Sequence, residues 1–203
     1  SQALRMPGTL SDDFRGPAGV TVVYMLLYYA FMILQLDTRS AALARLGRLV
    51  EGKPFSTDCA TDNQARMGER TFLNSLEQMG AFLVALWTCA ACVSCELATV
   101  LGAIAVFFRM LFPVFWSMGQ QGAWNWRVEL STQPYYCCVL GMLGAVATWS
   151  FAGVNVADEF AGWALALLVL AYYAVGFAIV FVWGKLLFAL TNGAYADLRH
   201  RES

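Results

Sequence analysis

Glu69-Arg70-Thr71-Phe72-Leu73-Asn74-Ser75-Leu76-Glu77-Gln78 is the stretch from which the fold is read. Arg70, Asn74 and Glu77 are spaced four and then three residues apart, so on a helix they share one stripe. The unbroken apolar run Met79 to Val93 follows at once. Polar and charged groups at the mouth of a membrane helix are costly unless they are paired or line a site. The stretch is therefore both the entrance to a spanning helix and the chain's strongest functional pointer.

Composition agrees with a membrane protein. Of 203 residues, 59% are hydrophobic and 13% charged, and the mean hydropathy is positive. Soluble domains carry about 25% charged residues. The 7 Trp supply material for interfacial belts. Net charge is −1 and no basic patch is interleaved with exposed aromatics, so no nucleic-acid partner is expected. Long continuous apolar segments, rather than alternating ones, argue against membrane β-strands. The expected fold class is an all-α, polytopic transmembrane helical bundle with about five spans.

Outward from the opening stretch, the spans are expected at about 20–36, 72–93, 97–116, 135–154 and 160–190. They are flanked by an N-terminal segment, 1–19, and a charged tail, 191–203. The first span extends into a short amphipathic piece carrying Ala41, Leu43, Leu46 and Leu49, ended by Gly52 and Pro54. Ser94, Cys95 and Glu96 alone separate the second and third spans, which implies a tight hairpin. Pro113 marks the end of the third helix or a kink near it. Residues 119–133 read as a headgroup-level loop. Gly141, Ala145, Thr148 and Ala152 give the fourth span a small-residue stripe that lets another helix approach closely. Five spans place 2 Lys and Arg on the N-terminal side and 11 on the other. The long loop and C-terminus thus belong to the cytosolic-type side.

Cys89, Cys92 and Cys95 have a CxxCxxC look, but at the end of a membrane helix they read as small hydrophobes in packing. His200 is the only histidine and lies in the tail, so no metal site is expected. Ser1 implies a removed initiator Met or a cleaved targeting peptide. Residues 1–17 hold no apolar core suited to a signal peptide.

Glu77 lies about as far before the hairpin turn as Arg109 lies after it, a height difference of only about 3 Å at the helical rise. Arg109 can therefore reach Glu77 if the faces agree, with Asn74 supplying donors and acceptors. Such a group either locks packing as a satisfied polar network or lines a pocket for an anionic, amide-rich ligand.

The run Glu69 to Gln78, followed by Phe82-Leu83 and Leu86-Trp87, resembles the second helix of the MAPEG family, the membrane-associated proteins of eicosanoid and glutathione metabolism. Arg109 with Phe112 and Trp116 resembles that family's ending of helix three. The resemblance implies a four-helix core, here with an additional C-terminal helix, and trimers with glutathione bound between subunits at the cytosolic face. Arg70, Asn74, Glu77 and Arg109 would be the ligand-binding residues. Phe112 and Trp116 stand where catalytic members have Tyr, and Gln78 where a Tyr often follows the Glu. Arg127, several residues late, is the one candidate for activating the thiol.

Two functions are compatible with this pattern. One is a glutathione-binding protein of transferase or peroxidase type. The other is a non-catalytic subunit of a larger organellar complex, respiratory or photosynthetic, that uses the fold as scaffold. Partners would be the bilayer and either further copies of the chain or the subunits of that complex. The membrane would be the endoplasmic reticulum or an organellar one.

Overall fold

The computed structural model describes residues 13–45, 62–119 and 125–202, with side chains described to residue 191 except at 190. Leu46, Leu49, Gly52 and Pro54 of the expected amphipathic piece and its end, and the first twelve residues, lie outside this range. Among the described residues seven helices follow in order: α1 Arg15–Arg45, α2 Asn63–Cys92, α3 Cys95–Met110, α4 Phe112–Ser117, α5 Trp126–Ala152, α6 Val156–Glu159 and α7 Gly162–Glu202. Five segments among the described residues are long and apolar enough to cross a membrane, with α3 and α4 forming one of them, Cys95–Ser117. The expected fold class is the observed one.

The helices outrun the apolar segments that announced them. Side-chain caps explain two of the early starts. Asp62 accepts from the backbone N–H groups of Gln64 and Ala65, so α2 begins well before Phe72. Asn125 accepts from the N–H of Arg127, so residues 126–133 of the expected 119–133 loop are instead the first turns of α5. Ser94 caps α3 through Leu97 in the predicted tight hairpin. The backbone of the expected tail is a continuation of α7 to Glu202, and Asn155 to Glu159 form a single capped helical turn rather than a bare turn.

Proline divides the third span. Pro113 has no N–H for the carbonyl of Arg109, four residues earlier, and the helix breaks at Leu111 before restarting as α4. At the far end of α5, Gly153 takes φ 68°, a left-handed conformation that ends the helix without the strain a side chain would bring.

The core lies where α1, α2, α3 and α5 converge, around Tyr24, Phe82, Leu86, Leu101, Tyr135 and Met142. At Gly102 a Cβ would lie 2.7 Å from Leu86 and 2.9 Å from Val20, so the absent side chain admits α1 and α2 together. Asn155 donates to the carbonyl of Val93 at 3.1 Å and ties the α5–α7 turn to the α2–α3 turn. On the opposite side, Arg45 binds both carboxylate oxygens of Asp62 at 2.9 Å and holds the loop-side ends of α1 and α2 together. Ala42, Leu43 and Ala65 form a small satellite core nearby.

Helix α7 packs on α5 alone among the larger interfaces, and its membrane segment is largely exposed. The small-residue stripe of α5 accepts it. A Cβ on Gly144 would lie 2.3 Å from the Tyr172 ring, and one on Gly141 2.7 Å from Val169. The Thr148 and Tyr172 hydroxyls meet at 2.6 Å, and Tyr173 donates to Gln133. The partner of the stripe is thus a helix of the same chain.

Three substitutions test this packing. Gly144→Leu forces Tyr172 away and destabilises the protein by about 1–3 kcal/mol, the usual cost of overpacking. Gly184→Leu, with nothing within 4 Å of the new Cβ, leaves the detergent unfolding midpoint unchanged. Asp62→Ala costs about 1 kcal/mol for the lost cap. The Arg45 hydrogen bonds, then the α2 backbone, hold the Asp62 carboxyl below the usual carboxylate range. Its stabilisation is therefore present at neutral pH and fades as acid carries the pH down through that lowered value. Melting curves of wild type and Asp62→Ala should converge at that acid limit.

Candidate functional site

Arg109 is the largest fully buried side chain among the described residues, 2% exposed, on the last turn of α3. The expected ion pair to Glu77 is not formed. Arg45–Asp62 is a salt bridge at 2.9 Å, whereas Glu77 lies exposed on α2, within electrostatic reach of Arg109 but forming no ion pair with it. The hairpin brings the two within electrostatic reach, but their faces differ. Arg109 points inward to α5 while Glu77 points out.

Aromatic faces take the place of the carboxylate. The Arg109 guanidinium carbon lies 5.1 Å from the Phe112 ring centre and 5.3 Å from that of Tyr135. Phe112 stacks on Trp116 at 5.8 Å, and Arg70 lies over Trp116 at 6.0 Å. On the other side Tyr135 packs on Phe82 at 6.1 Å, and Phe82 on Tyr24 at 4.6 Å. The result is one ladder that runs from exposed Arg70 to buried Tyr24, with Arg109 between its rings. Phe112 and Trp116, which lack the hydroxyls of the resembled pattern, serve as its rungs.

Magnitudes show how far this satisfies the cation. A charge at the centre of a membrane helix costs about 2.5–3.5 kcal/mol on insertion scales. A desolvated cation–π contact returns about 2 kcal/mol. Two such contacts roughly offset the burial, yet they use the faces of the guanidinium and leave its N–H groups over. Arg109 Nε and Nη2 have no hydrogen-bond partner, and neither do the buried Trp116 Nε1 and Thr132 Oγ1. Unpartnered buried donors call for an acceptor.

The stripe of α2 meets this ladder in part. Arg70 reaches it through Trp116; Asn74 is half-buried; Glu77 is exposed. Arg127 stands apart from Arg109, exposed at the head of α5 with its guanidinium 5.9 Å over Trp126. Three tyrosines that the sequence reading did not assign to the site complete the surroundings. Tyr24 donates to the carbonyl of Ser75 at 3.2 Å and Tyr135 to that of Gln78 at 3.3 Å. Tyr136 accepts from the Gln78 side chain at 2.9 Å. The available signal was the pair Tyr135-Tyr136 directly after Pro134, at the head of an apolar run.

Cys89 is buried in the core, and Cys92 and Cys95 are half-buried at its edge, all with free thiols. No cluster of His, Cys, Asp and Glu among the described residues has metal-holding geometry.

Comparison with known proteins gives one match: a family model described as MAPEG family covers residues 17–148. No curated protein and no solved structure matches the chain.

Replacement of Arg109 separates a structural role from a ligand-binding one. Arg109→Met keeps the volume and removes a buried charge that has no carboxylate partner, so the ligand-free protein is expected to be as stable as wild type or more so. A thermal midpoint well below wild type would make Arg109 a packing element instead.

Proposed function

The chain belongs to the MAPEG family, and from that premise we propose that it binds a glutathione-type ligand at the basic, cytosolic-type end of the bundle. The observation that carries this reading is Arg109: a nearly inaccessible guanidinium, held by ring faces, with Nε and Nη2 directed to no acceptor. Glutathione is anionic, with two carboxylates and two amides. Arg70 and Arg109 would answer the carboxylates; Asn74 offers both halves of an amide contact; and Glu77 would meet the ligand's ammonium. Arg70 and Glu77 lie on the open face of α2, so a second copy of the chain could complete the site there.

Glutathione supplies the thiol when bound. The chain's own part is to fix the ligand's ends and to keep water from Arg109. Thiol activation needs a cation or hydroxyl donors near the sulfur. Tyr135 and Tyr136 bring hydroxyls beside Arg109, and Arg127 is the remaining cationic candidate at the head of α5.

A specific observation favours the scaffold reading as well. The matched residues end at 148, and α7 lies wholly beyond them, its membrane segment largely exposed. An extra helix of this kind offers surface to the subunits of a larger complex.

The two readings separate on purified protein. Under the first, wild type binds glutathione and its S-alkyl analogues by calorimetry, and Arg70→Ala, on an exposed position, weakens binding about 10-fold or more, as expected for a charge-assisted contact. Thiol conjugation or peroxidase activity, if carried by this site, falls in parallel. Equal affinity in Arg70→Ala and Arg109→Met, or no binding at millimolar ligand, would remove the assignment. Co-purification in a stable hetero-oligomer without glutathione binding would favour the scaffold.

A further inference from the structure

The membrane face between α1 and α3, running from the α2–α3 turn towards the end of α3, carries two adjoining depressions. One is an apolar groove of about 470 Å³ lined by Gly16, Gly19 and Val23 of α1 and by Ala103, Phe107 and Met110 of α3. Arg15 stands at its upper end. The other, about 610 Å³, opens at the hairpin turn and is lined by Asp13, Ser94, Cys95, Glu96 and Thr99. Gly16 lines both, so the two adjoin at that residue. From this arrangement we infer a binding site for a zwitterionic phospholipid, its headgroup at the hairpin turn and an acyl chain in the groove.

The shape of the groove follows from the sequence. A Cβ on Gly16 would lie 2.2 Å from Thr99 Oγ1, so glycine draws α1 onto the head of α3. One turn on, Gly19 meets nothing within 4 Å, and the missing side chain leaves a furrow rather than a contact. Val23, Phe107 and Met110 flank that furrow with about half of their surface exposed. From Thr99 to Met110 the helical rise gives roughly 16 Å, about the length of an extended acyl chain through one leaflet, half of the ~30 Å hydrocarbon core.

Charge selects the headgroup. Asp13 and Glu96 place carboxylates beside the upper cavity, complementary to an ammonium or choline group, and Arg15 places a guanidinium where that cavity meets the groove, complementary to the phosphate. The order acid, base, apolar groove repeats the order ammonium, phosphate, acyl chain. An anionic lipid such as phosphatidylglycerol would set its headgroup against two carboxylates with no cationic group to answer them.

The test is native mass spectrometry of the detergent-purified full chain after equilibration with phosphatidylethanolamine, phosphatidylcholine or phosphatidylglycerol. Wild type is expected to retain one ethanolamine or choline lipid at least 5-fold over the glycerol lipid. Gly19→Phe, which fills the furrow without a clash, should cut retention at least 5-fold, while Gly184→Phe on α7 should not. The pair Asp13→Asn and Glu96→Gln should erase the headgroup preference but keep the lipid. A photocrosslinker at Val23 should yield a lipid adduct. Equal retention in Gly19→Phe and wild type, no preference between the headgroups in wild type, or a chain-sized adduct at Val23 from a second copy or another protein would each overturn the assignment.

Discussion

A guanidinium without a carboxylate, inside an apolar bundle, is the constraint on which the rest of this structure turns. Arg109 sits where water does not reach, and its two faces are covered by Phe112 and Tyr135. Each cover depends on a local backbone decision. Phe112 comes into place because the helix breaks at Leu111 and restarts, a break that Pro113 enforces by withholding the N–H that Arg109's carbonyl would use. Tyr135 comes into place because α5 crosses the α2–α3 hairpin and its hydroxyl finds the backbone at Gln78. Cation–π contact satisfies a charge but not its N–H groups, and that residue of unmet hydrogen bonding gives the site its chemical character.

Much of the architecture was legible in the residues. Apolar runs gave the number of spans, and the three residues Ser94 to Glu96 gave the hairpin, because no longer connection was possible there. Helix ends were less visible, since Asp62 and Asn125 extend α2 and α5 through polar sequence by capping them, and hydropathy does not register a cap. At the site, the helical rise put Glu77 and Arg109 within reach of each other. Their faces did not follow from it, because rotation of one helix about its axis is set by its packing with the others. Gly102, which admits Val20 and Leu86 at once, helps to fix that rotation. The tyrosines were missed for a related reason. A tyrosine at the head of an apolar run reads as an interfacial anchor until a crossing helix is known to lie beside it.

The stripe Gly141, Ala145, Thr148, Ala152 shows how a correct local reading can leave its partner open. Small residues predict close approach without saying of what. Here Gly141 and Gly144 admit Val169 and Tyr172 of the same chain, so the closest-packing face of α5 is occupied before any assembly begins. Contacts between copies would then fall to other faces, and the exposed stripe of α2 is one of them.

The aromatic cover of Arg109 also bears on how the protein reaches the membrane. Phe112 follows the arginine by three residues and travels with it, but Tyr135 belongs to α5, which is made later. While α1 to α3 are the only spans made, one face of the guanidinium has no ring against it, and its release into lipid is opposed by the part of the burial cost that Phe112 alone does not offset. The arrival of α5 removes that penalty. Biogenesis thus has a sequence written into its energetics: the α2–α3 hairpin is favoured to wait beside the insertion machinery or at the water boundary, and to enter the bilayer together with the helix that shields it.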